Sequence, residues 1–299
     1  LHLLSRRQRQ MCIRDSSNIA PQGVVPDSVI YSFYIGATIL ILCVIYTTVK
    51  VKEMPPAEYA EYHGITEEEK KEKINMVKLL VKAPKAFWTV GLVQFFCWFA
   101  FMFMWTYTNG SVAANVFDAP TVETVVNGAN KVVLDTKSIQ YQNAADWVGV
   151  LFAVQAIGSV LWAVCIPMFK NRKLIYSLSL VLGGIGFIST YFVHNQYVLF
   201  ISFLLIGCAW AAMPALPFTI LTNALSGGHM GTYLGLFNGT ICIPQIVAAT
   251  LGGSILALFT PKGMLPPEIN MLVMAGVMLI IGAVCVYLIK ETKGEQAKA

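Results

Sequence analysis

The chain alternates long apolar runs with short polar joints, and that alternation predicts its elements. Apolar runs occupy Val29–Val49, Phe87–Thr108, Asp146–Phe169, Leu174–Val193, Tyr197–Leu221, Tyr233–Phe259 and Ile269–Ile289. Each is long enough to cross a bilayer as a helix, which needs about 20 residues. From Leu174 to Pro261 there is no Asp, Glu, Lys or Arg. A water-facing surface could not be built from so much uncharged chain, whereas within lipid helices satisfy the backbone internally. The pattern therefore predicts an all-α polytopic membrane protein with seven spans.

The joints differ from one another. Residues 1–16 are rich in arginine, lack an apolar core and resemble a translated sequencing-library end; an assembly artefact is expected there, the alternative being a basic tail. Residues 53–86 form a charged connection. In it Thr66 and Glu69 have capping-box spacing, while Ile74, Val77, Leu80 and Val81 share a helical face. That stretch reads either as a helix lying on the membrane surface or as a solvated linker helix. Asn109–Gln142 reads as a polar loop, Ser226–Gly231 as a Gly-rich turn and Pro261–Pro267 as a tight turn. Residues 291–299 form a polar tail.

Basic joints follow the first, third and seventh runs, and the others carry little positive charge. The positive-inside rule then puts residues 50–85, 170–173 and the C-terminus in the cytoplasm and residues 17–28 outside. A multi-pass cell-membrane protein is expected, and an external start with seven spans is the arrangement of a fragment whose upstream helices are missing.

Composition agrees. The 299 residues are 56% hydrophobic and 12% charged, with mean hydropathy +0.63. The net charge of +5 follows from basic clusters between spans and gives no reason to expect nucleic acid. Cys43, Cys97, Cys165, Cys208, Cys242 and Cys285 fall singly in apolar runs without ligand spacing, so neither disulfides nor a metal centre is expected. His194 and His229 are lone loop histidines, and no nucleophile, metal cluster or acid pair at membrane depth suggests an enzyme or a cofactor.

Four ordered segments carry a family resemblance. Val93-Gln94-Phe95-Phe96-Cys97-Trp98-Phe99-Ala100 with Met104-Trp105-Thr106-Tyr107 resembles helix seven of sucrose–proton symporters and their bacterial relatives in the glycoside–pentoside–hexuronide group. Ala145-Asp146-Trp147-Val148-Gly149 is similar to the start of their helix eight. Gly207–Pro217 and Gly231–Gln245 are similar to helices ten and eleven. The resemblance covers nearly all of 17–299 and implies the C-terminal six-helix half of a major facilitator superfamily fold plus the preceding helix. In that frame 17–52 is helix six, 53–86 the inter-half linker and 87–290 the bundle. Of the superfamily's usual signature between helices eight and nine only Lys170-Asn171-Arg172-Lys173 is present. The activity implied is secondary transport of a sugar, a disaccharide or other glycoside, coupled to protons; sodium-coupled sugar carriers, lysolipid carriers and a transport-inactive sensor share the fold. A monomer is expected.

Helices seven, eight, ten and eleven line the family's cavity, which focuses attention on their polar and aromatic residues. Gln94, Trp98 and Trp105 share one helical face. Indole stacking on a sugar with an amide reading a hydroxyl is one role; belt and packing roles are the other. Asn238 and Gln245 share a face, suited either to substrate or to an interhelical bond. Gln155 and Ser159 form a similar pair. Asp146 stands as the carboxylate attached to a span, either a coupling group or a helix-terminal cap. Pro214, Pro217 and Pro244 offer hinges for alternating access or fixed kinks. The cluster Gly183-Gly184 with Gly186 allows close packing.

Overall fold

The computed structural model describes residues 27–52, 55, 58, 62, 76–126, 129–225, 230–261 and 263–289. The expected artefact at 1–16, the capping box at Thr66–Glu69, most of the Ser226–Gly231 turn and the 291–299 tail lie outside the described residues. By contacts the chain divides into two units, 1–66 and 67–299. In the first, α1 (Asp27–Lys50) is one helix, apolar all round and closed by Lys50.

The second unit contains α2 (Met76–Val81), α3 (Lys85–Asn115), α4 (Ile139–Cys165), α5 (Arg172–Ser189), α6 (Leu199–Ala224), α7 (Met230–Phe237), α8 (Gly239–Phe259) and α9 (Ile269–Cys285). Seven helical segments of the described chain are long and apolar enough to cross a membrane, with α7 and α8 forming one of them. The predicted polytopic helical architecture is therefore present.

The helix ends are chemically marked. Ser138 accepts a hydrogen bond from the Tyr141 amide and starts α4, while Asn171 accepts from the Leu174 amide and starts α5. Capping side chains of this kind satisfy amides that have no partner in the first turn. The α4 start corrects a boundary. Asp146, expected at the helix N-terminus, lies two turns inside α4, because Ser138 supplies the cap. The macrodipole effect fades within the first turn, so the terminal-cap role falls away.

The loop between α3 and α4 also differs from expectation. Its Thr121–Val126 and Ala129–Leu134 pair antiparallel as a two-stranded hairpin (β1 and β2), with Val126 opposite Ala129. β-branched residues on both sides of Asn127-Gly128 are a hairpin signal in the sequence itself. The bundle thus has a hairpin end and a basic end, the latter marked by Lys85 and Lys170–Lys173.

Packing runs α3 against α9, α9 against α5, α5 against α6 and α6 against α4, while α8 leans on α3. The core includes Phe87, Phe101, Phe103, Tyr176, Phe187, Phe203 and Phe237. Backbones approach most closely where side chains are absent. A Cβ on Gly158 of α4 would lie 2.7 Å from the Leu204 carbonyl of α6, and one on Gly184 of α5 would lie 2.9 Å from the Gly276 carbonyl of α9. The expected close packing around Gly183, Gly184 and Gly186 is present: each abuts α6 or α9. In lipid, where water does not drive helices together, such small-residue contacts supply dispersion attraction. The spans of α3 and α6 are 56% buried but those of α4 and α7–α8 only 17%, so α4 and α8 present wide open faces.

Near the basic end, Leu80 from the predicted amphipathic face packs on the core. Val77 and Val81 from the same face are exposed, and the Tyr233 hydroxyl donates to the Leu79 carbonyl at 3.3 Å. That tie fastens α2 to α7.

Candidate functional site

Three indoles meet midway along α3 and α6. Trp98 and Trp105 lie seven residues apart on α3, and Trp210 faces them from α6. Ring centroids are 6.4 Å apart for Trp98–Trp105, 6.0 Å for Trp98–Trp210 and 5.8 Å for Trp105–Trp210. Phe101 backs the group at 5.1 Å from Trp210 and 5.8 Å from Phe187, its edge meeting the latter. Edge-to-face and tilted pairs at these distances suit the ring quadrupoles. Trp105 is 44% exposed, and Trp98 and Trp210 are half-buried. Helical phase in the sequence singles out Trp98 and Trp105 but gives Trp210 no site role. The available signal is a tryptophan far from either end of a span, where the interfacial belt does not explain it.

Trp98 differs from its counterparts in polar partnering. Trp147 donates to the Gln196 carbonyl at 3.1 Å and Trp162 to Ser179 Oγ at 2.8 Å. The Trp98 Nε1 is buried and has no partner. One turn earlier, Gln94 Oε1 is likewise buried and unpaired. A donor and an acceptor in this condition mark a polar spot inside an apolar bundle, and buried polar groups are normally paired.

The Gln94 amide has a different task from the one expected of it. Its side chain is fully buried, and Nε2 donates to the Met213 carbonyl on α6 at 3.3 Å. Met213 stands four residues before Pro217, which has no N–H to give it. Gln94 therefore fills a carbonyl that the proline leaves open. Gln155 is also turned inward, at the close α4–α6 approach where a Cβ on Gly207 would overlap its backbone carbonyl. Ser159 is half-buried beside it.

Asn238 is exposed and marks the break between α7 and α8. Its backbone N–H is shared between the Leu234 and Gly235 carbonyls at 3.3 and 3.2 Å. Gln245, two turns on, is half-buried. Pro214 is exposed, while Pro217 and Pro244 are buried; α6 and α8 remain helical through all three. The break in the α7–α8 span falls six residues before Pro244. Trp98, Trp105, Trp210, Asn238 and Gln245 thus have exposed or half-exposed side chains, whereas Gln94 and Gln155 sit in helix contacts.

One carboxylate escapes the hydropathy pattern. Glu268 stands immediately before α9, between a turn that ends at Pro267 and a span that begins at Ile269. It is half-buried, and desolvation raises its pKa from 4.5 to about 7. Among the described residues no group of three or more His, Cys, Asp or Glu side chains could hold a metal ion.

A bundle of membrane-length helices with paired apolar and aromatic faces defines a multi-pass membrane protein. Comparison with protein families gives the class more closely: the Major Facilitator Superfamily model matches residues 112–299, from the last turn of α3 to the end of the chain. The chain belongs to the major facilitator superfamily, a class of transporters. The α3 segment that carries Gln94, Trp98 and Trp105 precedes the matched region. No curated protein matches the chain.

Proposed function

We propose that this transporter carries a glycoside, a disaccharide or a similarly sized sugar derivative, by proton-coupled symport through alternating access. The observation that carries the reading is the half-exposed trio Trp98, Trp105 and Trp210. A sugar ring has C–H-rich faces and hydroxyl edges. Indole planes bind the former, and neutral amides read the latter without the cost of desolvating a charge. Gln245 on α8 and Asn238 just before it supply such amides. A sugar hydroxyl both donates and accepts, so it suits neutral amides, which also do both, better than a purely anionic or cationic group does. Gln94 holds α6 in place rather than reading the outer surface of the sugar. Pro214 and Pro217 let α6 flex beside the site.

The same reading puts the protein in the cell membrane with the basic end in the cytoplasm and the hairpin outside. An impermeant thiol reagent added to whole cells should label a cysteine at Lys131 and leave one at Lys170 unlabelled; the reverse pattern overturns the sidedness.

The substrate reading is tested by tryptophan fluorescence of the purified protein titrated with a non-metabolised disaccharide. Saturable quenching is expected, and Trp105→Ala should weaken it. A saturable response to a phospholipid analogue or an amino acid, with none to any glycoside, would overturn the substrate class and leave the family membership standing.

A further inference from the structure

Glu268 has no part in the substrate reading, yet its seat is specific. The backbone at Glu268 is already helical, with φ −59° and ψ −23°, and its side chain does not cap α9. The carboxyl lies against Gly110 of α3 instead. A Cβ built on Gly110 would fall on the Glu268 carboxyl group, overlapping both oxygens and Cδ. The space a side chain at 110 would take is occupied by this acid. The seat is at the hairpin end of the α3–α9 seam, one of the broad helix pairings of the bundle.

The hairpin brings a cation to this end of the seam, Lys131, which lines a cavity with Met264 and Pro266. No hydrogen bond or ion pair to it occurs among the described residues, and desolvation alone raises its pKa to about 7. On α3 the titratable neighbour is Tyr107, one turn before Gly110, whose hydroxyl points towards Gly252 of α8. From α9 the first turn brings no acid, and α8 brings no titratable residue but Cys242, at the far end from the hairpin. In the preceding turn the charged residue is Lys262, outside the described residues. A carboxyl so placed is comfortable while neutral and poorly solvated once ionised.

We propose that Glu268 is a proton-binding site that latches the hairpin end of α3 to α9. With its proton the carboxyl stays in the Gly110 seat and the seam is closed. Without it, the carboxylate moves out to water and the seam loosens. The chemistry is a simple dissociation, the proton passing to solvent. Gly110 is five residues beyond Trp105, about 7.5 Å along the helix, so the latch acts on the helix that presents two of the three indoles. This rests on the transporter reading only in what the latch would control; proton binding itself needs no substrate.

The test therefore uses the protein without sugar. In proteoliposomes, infrared difference spectra between pH 5 and pH 9 should contain a protonated-carboxyl band that titrates with a midpoint near 7 and vanishes in Glu268→Gln. In a cysteine-free background, Ser111→Cys reports the seam. Its maleimide labelling rate, normalised to the same cysteine in Glu268→Gln to cancel thiol ionisation, should rise about tenfold between one pH unit below and one above that midpoint. Gly110→Ala should expel the carboxyl and bring the midpoint down towards the ordinary glutamate range. A wild-type band titrating below pH 5, or one that persists in Glu268→Gln, overturns the proton site. A flat normalised labelling rate overturns the latch, whether or not Gly110→Ala folds. Failure of glycoside binding with the titration intact would overturn only the substrate reading.

Discussion

The bond from Gln94 to Met213 gives a prediction that can be worked through in numbers. Gln94→Leu removes the Nε2 donor, leaving the Met213 carbonyl without a partner in a fully buried contact. The lost bond costs about 0.5–1.5 kcal/mol, and about 1–3 kcal/mol where the carbonyl remains unpaired. The same substitution removes Oε1, itself buried and unpaired, which returns some of that energy. The single variant therefore mixes two opposing effects. A double-mutant cycle with Pro217→Ala separates them, because that substitution restores the N–H that the proline lacks and gives Met213 its helical partner. The Oε1 effect appears in both backgrounds and cancels. The Gln94→Leu cost should then be larger in the wild-type background than in the Pro217→Ala background, by about 1 kcal/mol, or roughly fivefold in the unfolding constant. Reversible unfolding in mixed detergent micelles, followed by tryptophan fluorescence, measures all four proteins. A coupling within about 0.3 kcal/mol of zero, the scatter expected of independent sites, would mean that Gln94 does not compensate the proline, and the reasoning would fail.

Other predictions use the same purified protein. Gly207→Val should destabilise by more than about 2 kcal/mol, since its Cβ would meet the Gln155 and Ser159 backbone, which cannot move as a side-chain tip can. Gly253→Ala, with open space around it, should change the melting point little, and equal effects of the two would refute the α4–α6 contact. Asn238→Ala should raise the half-saturating sugar concentration roughly three- to tenfold, while Leu236→Ala, about 160° around the helix, should not; equal responses in uptake assays would remove Asn238 from the site. Glu268 sets a pH dependence of stability. Its proton is held more tightly in the folded state, so stability falls as pH rises from about 4.5, the unfolded value, to about 7, the folded one. The loss is at most about 3 kcal/mol and should be absent from Glu268→Gln; unfolding midpoints that rise over this window in the wild type alone would contradict the sign.

Much of the fold is legible in the sequence because lipid makes a simple demand: long uncharged runs must become helices. The span order and the mid-helix tryptophans follow from that demand. Boundaries are less visible. Lys85, Ser138 and Arg172 lie in or beside the first turn of their helices, where polar side chains either cap or reach the interface, so hydropathy trims α3, α4 and α5 incorrectly. The error at Ser138 makes Asp146 look terminal. The hairpin is hidden because an apolar search has no use for Thr121–Leu134, although Asn127-Gly128 signals it. Helical phase alone groups Gln94 with Trp98 and Trp105. It does not show that Pro217, on another helix and 123 residues later in the sequence, leaves a carbonyl for Gln94 to fill. Glu268 escapes for a comparable reason: its importance comes from Gly110, a residue on a different helix with no side chain.

On the proposed function, this superfamily member moves a glycoside with protons across the site built on Trp98, Trp105 and Trp210. Uptake of a labelled disaccharide into proteoliposomes, driven only by an imposed pH gradient, measures that claim. Accumulation above the external concentration is predicted, abolished by a protonophore and reduced by Trp105→Ala at unchanged protein content. Uptake that ignores both the gradient and the protonophore would contradict proton coupling, and no uptake of any glycoside by a protein that transports another solute would contradict the substrate.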